Sequence, residues 1–189
     1  MANLGNAAQA VAAAVALGVD AHEAVTAVSG VSEVAGRYSL HEVDGRLVRV
    51  MLAKNPAGWQ EAMTMVDPEV DQVVVAVNGQ VPDGQDLSWL WDVDFSALET
   101  GRQRTVVACG ERGADLAVRL EYDGLHCRRV DTPMEAIELC RPGKVELLAN
   151  YTAFRDLKRV LDSRGGARGT GTDEGGPVDA TTDSGKGER

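Results

Sequence analysis

The stretch QVVVAV, residues 72–77, decides the fold of this chain. Its valines and alanine continue without the polar residues that alternate along a strand with one solvated face, so it predicts a strand covered on both faces. RTVVAC (residues 104–109) and KVELLA (residues 144–149) predict two further strands. Strands buried on both faces are typical of mostly parallel sheets, in which helices connect the strands and cover the sheet.

Helical patterns alternate with these strands. Thr132 followed by Pro133 predicts the start of one helix, and the apolar face formed by Phe154, Leu157 and Leu161 predicts a closing amphipathic helix. The sequence therefore predicts an α/β fold, with a mostly parallel sheet and helices on both faces. The predicted helices are residues 59–66, 113–122, 133–140 and 150–161.

The chain before this region has a different pattern. Alanine-rich residues 3–17 predict a helix, and Asp20 can cap a second helix that continues to about Val28. Asp44-Gly45 stands between two short alternating stretches and is a strong signal for a two-residue β-hairpin turn.

The end of the chain is rich in glycine and has no aromatic residue from Ser163 onward. Such a segment buries too little apolar surface to offset the entropy of ordering, so a disordered tail is predicted. The expected organisation is a helical segment over residues 1–35, the α/β domain over residues 36–162 and the tail over residues 163–189.

The composition excludes several classes of partner and site. The formal net charge of -10 argues against binding to the phosphate backbone of nucleic acid, which needs clustered Lys and Arg. The longest apolar run, Ala10 to Leu17, is far shorter than the ~20 residues of a transmembrane helix, so we expect no membrane insertion and a cytoplasmic location. The three cysteines form no C-x-x-C pair, and no metal site is indicated.

Three loops that follow predicted strands combine glycine with charged or amide side chains. Ligands of open α/β sheets bind beyond the carboxyl ends of the strands, so these loops are candidate sites, although each also has the composition of an ordinary turn. No Ser-His-Asp or Cys-His unit can be assembled by inspection, and the phosphate-binding pattern G-x-x-x-x-G-K-[ST] is absent from the sequence. The loops are KNPAGW (residues 54–59), NGQVPDGQD (residues 78–86) and CGERGAD (residues 109–115).

Four motifs in one order resemble a known family. LAKNPAGWQEAM, VNGQVPDGQDLSWLWDVDF, CGERGADLAVRLEY and ANYTAF resemble the C-terminal domain of MurT, the Mur-ligase-like subunit of lipid II isoglutaminyl synthase. The resemblance covers about residues 3–162 and implies a Rossmann-like Mur ligase C-terminal domain. In this family MurT uses ATP to activate the α-carboxylate of D-glutamate in the lipid II stem peptide. Its partner GatD, a glutamine amidotransferase, hydrolyses glutamine and delivers the ammonia.

The resemblance further implies that an aspartate of this domain completes the Cys-His pair of GatD. A carboxylate in that place fixes the histidine tautomer and stabilises the imidazolium. We expect Asp86 to have this role and rank Asp83 second, because Asp83 begins an Asp-Gly turn whereas Asp86 has no turn role of its own. Asp92 and Asp94 fall at alternate positions of a predicted short strand or its exit, so they should share one face.

Trp89 and Trp91 are candidate contacts for the partner, with one of them expected in the core, because tryptophan is enriched at interface hot spots. Mur ligases also bring asparagines to the adenine and an arginine to the phosphates of the nucleotide. A lysine beside the phosphate can stabilise the negative charge that develops there. The corresponding candidates are Asn3, Asn6 and Arg37 for the nucleotide, and Lys54 and Asn55 for the ATP and substrate cleft.

A complete MurT also has an N-terminal substrate domain and a central ATPase domain, and this sequence begins close to the hinge that follows them. We therefore expect ATP and Mg²⁺ to serve the complete enzyme, a carbon–nitrogen ligase, and expect neither tight ATP binding nor ligase activity from this chain alone. The chain is then a fragment, a subunit that completes a split enzyme with a separate ATPase half, or a remnant. The alternative function is a non-catalytic module that docks a GatD-like amidotransferase.

Overall fold

QVVVAV contributes a central strand of a six-stranded sheet. The computed structural model describes residues 4–30, 38–99 and 104–166. The strands are β1 (Tyr38–Val43), β2 (Arg46–Leu52), β3 (Gln72–Ala76), β4 (Thr105–Cys109), β5 (Cys127–Arg129) and β6 (Gly143–Ala149). Their order is β1-β2-β6-β3-β4-β5, in which β1 is antiparallel to β2 and all other neighbours are parallel.

Helices cover both faces of this sheet. The α-helices are α1 (Leu4–Ala16), α2 (Ala21–Ser29), α3 (Pro56–Met65), α4 (Gly113–Tyr122), α5 (Pro133–Leu139) and α6 (Tyr151–Gly166), and 3₁₀ helices span Val81–Asp83, Ser88–Asp92 and Phe95–Leu98. One face packs against α3, α4 and the 3₁₀ region, and the other packs against α5 and α6. The predicted α/β fold is confirmed. Within the described ranges, no helix is long and apolar enough to cross a membrane.

The two faces of β3 contribute to two separate core clusters. Val73 and Val75 pack in the cluster that contains Trp59 and Phe95, whereas Val74 packs in the cluster that α5 and α6 complete. Every residue of β3 is buried. Because removal of apolar surface from water contributes about 25 cal/mol per Å², a strand that buries both faces stabilises both layers of helices.

Local turn and cap chemistry agrees with the sequence at several points. Asp44 (φ 47°) and Gly45 (φ 77°) both adopt the left-handed conformation that a two-residue hairpin turn between β1 and β2 requires. The Asp20 side chain accepts hydrogen bonds from two backbone N–H groups at the start of α2. Thr132 and Glu135 form a reciprocal capping box at the start of α5.

The predicted start of the tail is wrong by one helical turn. Residues 163–166 belong to α6. The Ser163 hydroxyl donates to the carbonyl of Val160 at 2.7 Å, and Arg164 pairs with Glu138 of α5 at 3.9 Å, a contact that composition does not reveal. The rest of the predicted disordered tail, residues 167–189, and the predicted domain boundary at residues 35 and 36 lie outside the described residues.

The strand predicted around Asp92 and Asp94 is also wrong. Asp92 ends one 3₁₀ helix, and Asp94 caps the next by accepting the N–H of Ser96 at 3.0 Å. The buried side chains of this region recur at intervals of three residues, and a 3₁₀ helix with three residues per turn places such a set on one side. These buried residues are Leu87, Leu90 and Val93.

Gly110 is placed where two stretches of backbone approach closely after β4. Its φ is +97°, and an added Cβ would lie 2.5 Å from the carbonyl oxygen of Val77. We expect Gly110→Ala to lower the free energy of unfolding by about 3 kcal/mol in urea titration, because the clash adds to the backbone strain. Gly124→Ala is the matched control, since Gly124 has φ +82° and a Cβ added there would meet no atom within 4 Å beyond its chain neighbours. Its expected loss is about 1 kcal/mol, and equal losses would contradict the close approach.

Candidate functional site

The carboxyl ends of β2, β6, β3 and β4 meet at one edge of the sheet because these strands are parallel. The chain leaves β2 for α3 on one face, leaves β6 for α6 on the opposite face, and leaves β3 for the 3₁₀ region on the face of α3. The connections therefore diverge on either side of β6. Such a switch point opens a crevice at the carboxyl edge, where α/β proteins bind ligands.

Two buried asparagines join the loops at this edge. Asn150 donates from Nδ2 to the carbonyl of Asn78 at 2.7 Å and accepts the N–H of Asn78 at 3.0 Å. The Oδ1 of Asn78 in turn accepts the N–H of Glu111 at 3.1 Å. Because buried amides are tolerated where their donors and acceptors are bonded, these contacts fix the loops after β6, β3 and β4 relative to one another. Sequence patterns give no sign of the pair, since 72 positions separate the two asparagines.

A cavity of about 190 Å³ occupies the switch point. The Nζ of Lys54 lies 5.1 Å from the centroid of the Tyr151 ring, within the range of a cation–π interaction. The loop after β3, which carries Asp83, and the start of α6 supply the remaining wall. The rim of the cavity therefore has a cation, Lys54, and an acid, Asp83. The cavity is lined by Lys54, Pro82, Asp83, Trp89, Asn150 and Tyr151.

Lys54 and Asn55 differ in role although they are adjacent. Lys54 is exposed and lines the cavity. The Oδ1 of Asn55 accepts the N–H of Gly58 at 2.9 Å and thereby caps α3. Asn55 therefore fixes the start of the helix, whereas Lys54 is the cation that a ligand in the cavity can reach.

Asp83 is bound to the start of α6. One carboxylate oxygen accepts the N–H of Thr152 at 3.0 Å, and the other accepts the Thr152 hydroxyl. A carboxylate in this position satisfies a free N–H of the first helical turn and interacts favourably with the helix dipole. Both oxygens of Asp83 are thus used within the chain, and they hold the loop after β3 against α6.

Asp86 lies on the other side of the same loop, in a groove of about 540 Å³ between residues 85–91 and α4. It is exposed, and its Oδ1 accepts the N–H of Ser88 at 2.8 Å. The expectation that Asp86 has no turn role is therefore wrong, because aspartate side chains readily bond the backbone two residues on. Hydrogen bonds from the backbone N–H and then the hydroxyl of Ser88 hold the pKa of Asp86 below its usual value. An ionised carboxylate is thus presented to solvent.

The two tryptophans of this segment face different surroundings. Trp89 is half-buried, lines the cavity and stacks on Trp59 with the ring centroids 5.9 Å apart. Trp91 is 56% exposed, lines the groove and meets the Tyr122 ring edge to face at 5.4 Å. Residues 83–91 therefore separate two concave surfaces, with Trp89 on one side and Trp91 on the other.

Sequence reasoning does not single out Arg119, Tyr122 or Asp123, although the motif CGERGADLAVRLEY contains Arg119 and Tyr122. Arg119 lines the groove, and Tyr122 contacts the Trp91 ring. Arg119 is 6% exposed and pairs with Asp123, whereas Tyr122 is 78% exposed. A signal for the pair does exist, because Arg119 falls on the apolar stripe of α4 beside Leu116 and Leu120. A charged residue on a buried stripe indicates a bonded partner.

The candidate nucleotide contacts are only partly within the described residues. Asn6 lies on the exposed surface of α1 and lines neither the cavity nor the groove. Asn3 and Arg37 lie outside the described residues, so the nucleotide role of this set stays a prediction. In the part of the chain that the structure describes, no three or more His, Cys, Asp and Glu side chains are grouped to hold a metal ion.

Solved Mur ligases have a similar fold. UDP-N-acetylmuramate-alanine ligase MurC from Thermotoga maritima is 17% identical, with a TM-score of 0.55 over 86% of this chain and 37% of that chain. A crystal structure of MurF from Acinetobacter baumannii is 19% identical, with a TM-score of 0.55 over 84% of this chain and 36% of that chain. The fold is therefore that of a Mur-ligase-like α/β domain.

Sequence similarity identifies the family within the Mur-ligase-like domains. The family described as MurT ligase C-terminal matches residues 52–154, and the chain belongs to it. The lipid II isoglutaminyl synthase (glutamine-hydrolyzing) subunit MurT of Streptococcus pneumoniae is 29% identical over 86% of this chain and 38% of that protein. The subunit of the same name in Staphylococcus aureus is 31% identical over 46% of this chain and 20% of that protein. The chain thus spans well under half the length of these relatives.

The hydrogen bonds around Asp86 predict a measurable titration. Ser88→Ala removes the hydroxyl bond and keeps the backbone bond, so we expect the pKa of Asp86 to rise toward, without reaching, its ordinary value of about 4. Because the pKa is lowered, the carboxylate stays ionised at neutral pH in both proteins. Carboxyl ¹³C NMR titration measures the change. Asp94, whose pKa is lowered by the hydroxyl and N–H of Ser96, is the internal control and should not move. An ordinary pKa for Asp86 in the unsubstituted protein would contradict the turn.

Proposed function

We propose that this chain forms the C-terminal part of a glutamine-dependent ligase that amidates the α-carboxylate of D-glutamate in lipid II. The observation that carries the proposal is the two-sided segment at residues 83–91. One side lines a cavity with an exposed lysine, and the other presents the ionised Asp86 beside exposed aromatic rings. The names of the relatives, subunits of a glutamine-hydrolysing lipid II isoglutaminyl synthase, support this reading.

The cavity side suits the activation of a carboxylate. In such a ligase the γ-phosphoryl group of ATP is transferred to the carboxylate, ammonia then adds to the carbonyl carbon of the acyl phosphate, phosphate leaves and the nitrogen loses a proton. Negative charge develops on phosphoryl oxygens in both steps, and a fixed cation stabilises it. We assign this contact to Lys54, facing ATP, Mg²⁺ and substrate that other parts of the complete enzyme hold. We keep the predicted cytoplasmic location, where ATP is available.

The glutaminase nucleophile is assigned to another subunit. Glutamine hydrolysis by a cysteine requires an accessible thiolate. Burial raises the pKa of Cys109 to about 12 and also raises the pKa values of Cys127 and Cys140. None of the three thiols is therefore suited to attack glutamine at neutral pH. A GatD-like glutamine amidotransferase is the partner that supplies this chemistry.

The exposed apolar surface beside the groove is the proposed contact with that partner. Trp91, Val118 and Tyr122 form this docking face and are 56%, 60% and 78% exposed, respectively. Val118 and Tyr122 are one turn apart on α4, so they share one side of the helix. Asp86 and Arg112 line the adjoining groove. An aromatic centre with a charged rim has the anatomy of a protein–protein interface.

Asp86 is the better candidate to complete the partner's Cys-His pair. It is exposed, ionised and next to the docking face, so a histidine of a docked subunit can reach it. In Asp83, by contrast, both carboxylate oxygens already accept hydrogen bonds from Thr152. A carboxylate across the interface would orient the imidazole and stabilise its charged form.

Asp86→Asn tests the shared site. We expect the purified complex with the amidotransferase subunit to form normally but to hydrolyse glutamine at least about 100-fold more slowly, because an amide cannot stabilise the imidazolium. Asp92→Asn, an exposed acid outside the groove lining, is the control and should leave the rate unchanged. If the Asp86→Asn complex hydrolyses glutamine at the normal rate and the Asp83→Asn complex hydrolyses it slowly, Asp83 completes the Cys-His pair instead. A complex without any glutamine-dependent amidation would favour the non-catalytic docking module.

Trp91→Ala tests the docking face. Truncation of a central tryptophan at an interface costs about 2 kcal/mol, so we expect affinity for the amidotransferase subunit to fall about 30-fold in calorimetry. Leu40→Ala is the control, because Leu40 is 51% exposed on β1. Equal affinities for the two variants would place the interface elsewhere.

A further inference from the structure

Arg119 lies beneath the docking face, with its side chain only 8% exposed. Its Nε donates to the carbonyl of Leu90 at 3.0 Å, and its Nη2 donates to the carbonyl of Val93 at 2.6 Å. Its Nη1 donates to the carboxylate of Asp123. The Oδ2 of Asp123 accepts the N–H of Phe95 at 2.8 Å. The ion pair therefore binds three backbone groups of the segment that carries the exposed tryptophan.

These contacts depend on the shape of the guanidinium group. It directs five donors from a rigid plane, whereas the ammonium group of lysine is a single point on a flexible stem. A buried ion pair offsets its desolvation only where the remaining donors are also bonded. Here they bond a segment that has 3₁₀ turns in place of a sheet ladder. The pair thus supplies hydrogen bonds that a strand would obtain from its neighbours.

The same guanidinium supports the exposed tryptophan directly. The Cζ of Arg119 lies 5.4 Å from the centroid of the Trp91 ring and 5.8 Å from that of Phe95. Tyr122 also contacts the Trp91 ring, edge to face. Trp91 is therefore held in one orientation while more than half of its surface stays in solvent. A side chain ordered before association loses less conformational entropy when it binds.

We infer that Arg119 is a positioning residue for subunit docking, which holds Trp91 and the carbonyls of Leu90 and Val93 in the conformation that the partner binds. This inference rests on the proposed function, since the partner is the glutamine amidotransferase subunit. Arg119 acts through Trp91, so its replacement should change both the environment of that ring and the affinity for the partner.

Arg119→Lys tests the inference because it keeps the positive charge and removes the planar fork of N–H donors. The matched control is Arg104→Lys. Arg104 donates to the carbonyls of Leu98 at 2.7 Å and Val70 at 3.1 Å, so its replacement removes a similar fork near the start of β4, away from the docking face. Chains of residues 1–189 labelled with 5-fluorotryptophan are compared by ¹⁹F NMR, by urea unfolding and by calorimetric titration with the amidotransferase subunit. Trp91→Phe assigns the Trp91 resonance.

We expect Arg119→Lys to shift the Trp91 resonance and to weaken binding about tenfold. Arg104→Lys should do neither, even where the two variants lose similar stability. If Arg119→Lys does not fold, Asp123→Asn breaks the same pair with a smaller change and should shift the same resonance and weaken binding less. Unchanged affinity, or weaker binding with an unmoved Trp91 resonance, would overturn the positioning role. An unsubstituted chain that does not bind the amidotransferase would instead overturn the proposed function, and the docking role with it.

Discussion

Burial of the central strands on both faces is the constraint on which the rest of the structure depends. β3 and β6 have parallel neighbours on both sides and helices above and below, so their backbone groups bond within the sheet and their side chains pack in two cores. Parallel neighbours must be connected by crossovers, which brings the carboxyl ends of β2, β6, β3 and β4 to one edge. Polar groups such as Asn78, Asn150 and Lys54 collect there because that edge is where the chain leaves the buried layer.

The connection after β3 gives this edge its particular character. It crosses the sheet face as successive 3₁₀ helices in place of one α-helix. Because 3₁₀ helices are short and weakly bonded internally, the connection depends on side chains from its neighbours. Asp83 binds Thr152 at the start of α6, and Arg119 of α4 binds the later part. A connection fixed at both ends presents its middle on the surface, and the middle carries Asp86 and Trp91.

The features that the sequence reveals are those encoded within a few residues. The valine run, the Asp44-Gly45 turn and the cap at Thr132 are of this kind. The bond between Asp83 and Thr152 joins residues 69 apart, and no local pattern predicts it. The 3₁₀ region shows a different limit, because its short stretch around Asp92 fits a period of two as well as a period of three. The Asp86–Ser88 turn is local, and an aspartate two residues before a free N–H was a usable signal for it.

The buried Arg119–Asp123 ion pair and the exposed Trp91 ring have a common explanation. Apolar residues in place of Arg119 and Asp123 could fill the same volume, and a buried ion pair by itself is often no better than apolar packing. They would, however, leave the carbonyls of Leu90 and Val93 without donors and the segment without a fixed shape. Trp91 likewise contributes little to the core while it stays exposed. The buried pair therefore serves the fold of the segment, whereas folding alone gives no reason for an exposed tryptophan. Together they form one surface, in which a buried cation fixes the backbone and orients the ring that we propose as the contact for a partner subunit.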